Sequence, residues 1–147
     1  YYVFLKLLLD WPDSFLTWDI LFLIPATWTG PVIAPIIVSL SMVFLALVIL
    51  ILTSKRLKVT ITAYEWLGLI VGSVILVFGF IYDYSKYILH HFSLKEIFII
   101  PQKQSLYDTA LQYVPQNFPW IIFLLGQGII IYVIINLWFR YKPFLKL

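Results

Sequence analysis

The chain has 147 residues, of which 63% are hydrophobic and 12% charged, with a formal net charge of +3 and a mean hydropathy of +0.98. Soluble domains carry charge on about one residue in four, so this composition excludes an ordinary water-soluble fold and indicates a polytopic helical membrane protein. There is no cysteine, which excludes thiolate catalysis, iron–sulfur ligation and disulfides within the chain.

Residues 1–9 are apolar except for Lys6. They read as a helix fragment, either a processed terminus or the last turns of an earlier helix. The fragment is too short to span a bilayer and lacks the parts of a complete signal peptide. Asp10, Trp11, Pro12 and Asp13 form a turn-prone link, with Asp13 or Ser14 as N-cap for Phe15 onward. Trp11, Trp18 and Trp28 cluster here, and indole rings favour the head-group layer.

From Ile20 to Leu52 no side chain is charged. As one helix that run would measure about 50 Å against a hydrocarbon thickness of about 30 Å, so it must break. Pro25, Gly30 and Pro31 place the break. Residues 15–25 then form an interfacial or re-entrant segment, which needs neighbouring protein to satisfy its backbone. Residues 31–53 form the first transmembrane helix, with Pro31 in its first turn and Pro35 as an early kink.

Lys55, Arg56 and Lys58 follow without an intervening acid. By the positive-inside rule, loop 54–62 is cytoplasmic, or on the matrix side of a mitochondrial inner membrane. A second span covers 64–85, where residues 66–82 are uncharged between Glu65 and Asp83. Gly68, Gly72 and Gly79 fall on a similar side of it and admit a close neighbouring helix.

In the outer stretch, Ser93 and Glu96 fit a capping box with a Phe92 to Ile97 staple. A second start at Ser105 runs with helical spacing to Pro115, so 93–114 reads as two short amphipathic helices on the outer surface. The third span covers 118–140, with Trp120 and Trp138 at its interfaces. It ends in a basic tail, Arg140, Lys142 and Lys146, on the same side as loop 54–62. Loop 86–117 lies on the opposite side, and its length, its two acids and its wider charge spacing offset Lys86, Lys95 and Lys103 only in part. No internal repeat is visible. The whole chain, 1–147, is therefore one domain: an all-α integral membrane protein of three transmembrane helices, an N-terminal helix fragment, an interfacial or re-entrant segment and short outer amphipathic helices, in a bacterial or mitochondrial inner membrane.

The centres of the three spans contain no Asp, Glu, Lys, Arg or His, which argues against a proton relay or ion path carried by this chain alone. Asp83 lies at the outer end of its span. It reads as a local ion pair or a partner of nearby tyrosines, or else, with Asp19 and Lys86, as an outer-mouth polar site for a proton or cation. His90 and His91 point about 100° apart on a helix, which suits interfacial histidines better than a shared metal, so no metal is expected. Either one as a haem ligand is the alternative. Gln127 lies between Gly126 and Gly128 inside a span, where its amide needs a partner. It reads as glue between helices, and contact with a quinone, pigment or lipid is the alternative. Gly68, Gly72, Gly79, Gly126, Gln127 and Gly128 make up the expected helix-packing set. No nucleophile elbow, phosphate-binding glycine loop or zincin motif is present, and the short basic runs flank spans, which does not suit nucleic-acid binding.

In size, aromatic richness and lack of a catalytic constellation, the chain is similar to the small hydrophobic subunits that surround respiratory or photosynthetic cores. That is a likeness of type, carrying no residue-level correspondence. The leading expectation is a non-catalytic structural or assembly subunit, not an enzyme, without a cofactor of its own. Its partners would be other integral membrane subunits, the bilayer and bound lipid, and no nucleic acid. A small oligomeric transporter or channel is one alternative, and a haem- or quinone-binding electron-transfer subunit is another.

Overall fold

The structure, a computed structural model, describes residues 1–22, 27–55, 58–92 and 112–145. In chain order the elements are α1 (Tyr2–Leu9), β1 (Trp18–Phe22), β2 (Trp28–Pro31), α2 (Ile33–Ser54), α3 (Ala63–His91) and α4 (Trp120–Tyr141), followed by a 3-10 turn (Lys142–Leu145). Helices α2, α3 and α4 are long and apolar enough to cross a membrane. Their 22, 29 and 22 residues correspond to about 33, 43 and 33 Å, enough for a hydrocarbon layer of about 30 Å. The protein is a multi-pass membrane protein.

The ends of α2 and α4 lie close to the expected 31–53 and 118–140, whereas α3 runs on past residue 85 to His91. No glycine or proline stands between Asp83 and His91. Leaving the hydrocarbon does not by itself end a helix, so it continues until the sequence stops it.

The stretch before the first span differs from the expectation. It is a two-stranded antiparallel ribbon, so the described fold is not purely α-helical. Trp18 pairs with Pro31, Asp19 with Gly30, Ile20 with Thr29 and Phe22 with Trp28, with an irregularity between Ile20 and Phe22. Aromatic and β-branched residues suit strands, and the prolines that bar a helix do not bar an edge pairing. Cross-strand bonds satisfy the facing backbone groups of the two strands. Ser14 caps no helix. The Thr17 N–H donates to the Ser14 carbonyl at 3.1 Å, and the Leu16 N–H donates to Ser14 Oγ at 3.2 Å, forming a turn into β1. Of the expected outer helices, 93–111 lies outside the described residues, as do 23–26 of the expected interfacial segment, and 112–114 is a turn and irregular chain instead of helix.

The chain divides into two compact units, Tyr1–Val32 with Gly79–Pro119, and Ile33–Phe78 with Trp120–Leu147. The first is held by aromatic contacts on the ribbon. The Trp28 ring stacks on Phe80 at 6.2 Å, and Phe118 meets Phe80 at 5.7 Å and Trp18 edge-on at 6.3 Å. Gly30 makes this approach feasible, since a Cβ there would stand 3.0 Å from the Phe118 ring and 3.1 Å from Phe80.

In the second unit α2 packs on α4 through Val48, Leu52, Ile134 and Leu137. Helix α3 meets α4 where the backbones nearly touch. A Cβ at Gly72 would stand 3.0 Å from the Gly126 carbonyl oxygen, and one at Gly126 would stand 2.9 Å from the Gly72 oxygen. Gly68 faces Val133 at 2.6 Å in the same sense. Without hydrophobic water exclusion between helices in lipid, such close backbone approach is a main source of packing energy.

Candidate functional site

Two polar clusters stand out, one in each unit. The first is built on the start of α3. Thr62 and Glu65 form a reciprocal capping box. Glu65 Oε2 accepts from the Thr62 N–H at 2.7 Å and from Thr62 Oγ1 at 2.9 Å, while the Glu65 N–H donates back to Thr62 Oγ1 at 3.3 Å. This satisfies helix-end donors that would otherwise be orphaned.

The same carboxylate, only 4% exposed, receives Arg140 Nη2 from the end of α4 at 2.8 Å. Asn136 Nδ2 donates to its other oxygen at 3.4 Å. Arg140 Nη2 also donates to the Thr60 carbonyl at 2.6 Å, and the Thr60 N–H donates to Tyr141 Oη at 2.9 Å. One acid thus ties the loop before α3 to the last turns of α4, beside a groove of about 260 Å³.

The second cluster surrounds the outer part of α3. Asp83 Oδ2 accepts from Tyr113 Oη at 2.9 Å and from the Gln116 N–H at 3.1 Å. The Tyr113 hydroxyl also lies 3.1 Å from Thr29 Oγ1 of β2, a residue 1% exposed. Burial and then the Asp83 carboxylate push the Tyr113 phenol above the ordinary tyrosine range, outweighing the Thr29 contact. Tyr2 shows the same behaviour: burial, then its 2.8 Å bond to Asp19, raise it. Asp83, Lys86, Tyr87, His90, His91 and Tyr113 are among the residues lining an open cleft of about 370 Å³.

Asp83 and Lys86 therefore share one cleft, whereas Asp19 is not among its lining residues and is engaged by Tyr2. His90 and His91 meet edge to face at 5.3 Å, and His91 Nδ1 lies 2.9 Å from the Tyr87 carbonyl oxygen. A carbonyl only accepts, so Nδ1 is the donor in this contact. Among the described residues no group of three His, Asp or Glu side chains has metal-holding geometry.

Of the expected packing set, Gly68, Gly72 and Gly126 form the α3–α4 contact, and Gly79 is buried. Gly128 does not share that contact, since a Cβ there would meet nothing within 4 Å. Gln127 is 6% exposed, yet neither amide atom has a hydrogen-bond partner. Among the described residues it is a buried polar group without the interhelical bond expected of it. Residue-by-residue reading misses the Glu65–Arg140 pair. The signal for half of it is the Thr62-x-x-Glu65 spacing, while Arg140 reads as an ordinary basic tail residue. Tyr113 carries no local signature, because its partners are Asp83 and Thr29.

No family model, curated protein or solved structure matches the chain. The fold and the two clusters define a class only, that of multi-pass helical membrane proteins with a β-ribbon ahead of the first span.

Proposed function

We propose that the protein is a non-catalytic structural or assembly subunit of a larger membrane complex, with other integral membrane subunits as its partners. The observation that carries this reading is where the ionisable groups are spent. Glu65 and Arg140 lock the loop before α3 to the end of α4, and Asp83 holds the 113–116 segment against α3. Both carboxylates fix the chain's own ends and loops, and the middles of the spans carry no charge. A catalyst or ion carrier needs such groups free to change state, whereas a scaffold needs them fixed. In this reading Lys55, Arg56, Lys58 and the basic tail lie on the cytoplasmic or matrix side, and the β-ribbon, with its tryptophans, rests at the opposite membrane surface.

The test is native electrophoresis of membranes extracted in a mild detergent, followed by identification of co-migrating chains. The chain is expected in a band well above its own mass, together with other integral membrane proteins. Migration as a stable lone monomer contradicts the proposal.

A further inference from the structure

We propose that the cleft along the last turns of α3 is a two-point site for a zwitterionic phosphoethanolamine head group, Asp83 taking the ammonium and Lys86 the phosphate. This assignment is independent of the scaffold role above. Asp83 and Lys86 are three residues apart on α3, which places their Cβ atoms about 5–6 Å apart on neighbouring positions, and both line the same open cleft of about 370 Å³. They do not pair with each other. The ion pairs among the described residues are Lys6 with Asp10 and Arg140 with Glu65. Both loop bonds to Asp83 enter Oδ2, which leaves Oδ1 free to accept. A carboxylate and an ammonium held side by side and unpaired complement a ligand of the same two charges in opposite order.

Depth selects the source of that ligand. Residues 66–82 are uncharged and span about 25 Å as helix, so Asp83 to His91 stand in the head-group layer.

Native mass spectrometry of the full chain in mild detergent tests this with three lipids of equal tails. Phosphatidylethanolamine carries both charges, phosphatidylglycerol lacks the amine and diacylglycerol lacks both the amine and the phosphate. At about 1 kcal/mol for each charge contact, phosphatidylethanolamine is expected to be retained roughly fivefold over phosphatidylglycerol, which loses one contact, and roughly thirtyfold over diacylglycerol, which loses both. Asp83→Asn can still accept both loop bonds through one oxygen but loses the charge, so it is expected to abolish the preference over phosphatidylglycerol. Lys86→Gln is expected to bring phosphatidylglycerol down to the diacylglycerol level and to lower retention of phosphatidylethanolamine about fivefold, its ammonium still held by Asp83. Lys86 is exposed and secures no other group, so this variant decides the matter even where Asp83→Asn loosens the loop. Displacement of bound lipid by millimolar free phosphoethanolamine assigns recognition to the head group alone, and retention against it assigns the site to the intact lipid. Equal retention of the three lipids, or an unchanged preference in both variants, overturns the proposal.

Discussion

Glu65 ties together two separated stretches of the chain, because four donors from them converge on one buried carboxylate. Removing one partner of such a pair leaves the other charge uncompensated. Glu65→Ala is therefore expected to lower stability by roughly 2–4 kcal/mol in detergent unfolding, and a double-mutant cycle with Arg140→Ala to give coupling above about 1 kcal/mol. An exposed pair would couple by less than about 0.5 kcal/mol. Gln127 is the opposite case, a buried amide whose two polar atoms find no partner. Replacing it by the similarly shaped Met relieves desolvation without opening a cavity. Gln127→Met is expected to leave stability unchanged or raise it by about 1 kcal/mol, and a loss of 2 kcal/mol or more would show a bonded amide. Tyr113 supplies a pH dependence. Its folded-state pKa is raised above the unfolded value near 10, so its contribution is complete below pH 10 and is lost as pH rises toward the folded value. Unfolding curves from pH 9 upward are expected to fall less steeply in Tyr113→Phe than in the parent protein.

At the scale of elements, the α3–α4 contact separates glycines that look alike in the sequence. Gly126→Ala drives a methyl to 2.9 Å from a backbone oxygen, which cannot move aside as a side-chain tip can. A loss of roughly 1–3 kcal/mol is expected. Gly128→Ala, two residues on, enters open space and gains helix propensity of up to about 1 kcal/mol. Thermal unfolding of the two variants checks the contrast, and equal destabilisation would place both glycines in one interface. Such differences are not legible in the sequence, because Gly-Gln-Gly states spacing and not what stands opposite. The three spans are legible, since a long uncharged run between polar ends has one physical solution in lipid. The β-ribbon is hidden for a related reason. Trp18 to Phe22 is too short to declare its state, and it becomes a strand only through pairing with Trp28 to Pro31, on the far side of Pro25. Asp83 is legible as a partner of tyrosines in kind, but the nearby choices, Tyr82, Tyr84 and Tyr87, give way to the remote Tyr113. Helix α3 runs beyond the expected span of 64–85 to His91, since nothing from Asp83 to His91 breaks the helix.

For the whole molecule, lipid replaces water as the solvent for three helices, and Glu65, Asp83 and Arg140 hold loops and helix termini in place. The proposed scaffold role and lipid site both require that α3 crosses the bilayer once, carrying Glu65 near one surface and Asp83 near the other. Because the chain has no cysteine, single reporters can be introduced without background. Lys55→Cys, Asn117→Cys and Lys142→Cys, each in sealed vesicles of one orientation, can be challenged with a membrane-impermeant maleimide. The account predicts that Lys55→Cys and Lys142→Cys label from the same side and Asn117→Cys only from the other. Labelling of Asn117→Cys and Lys55→Cys from one and the same side would contradict it.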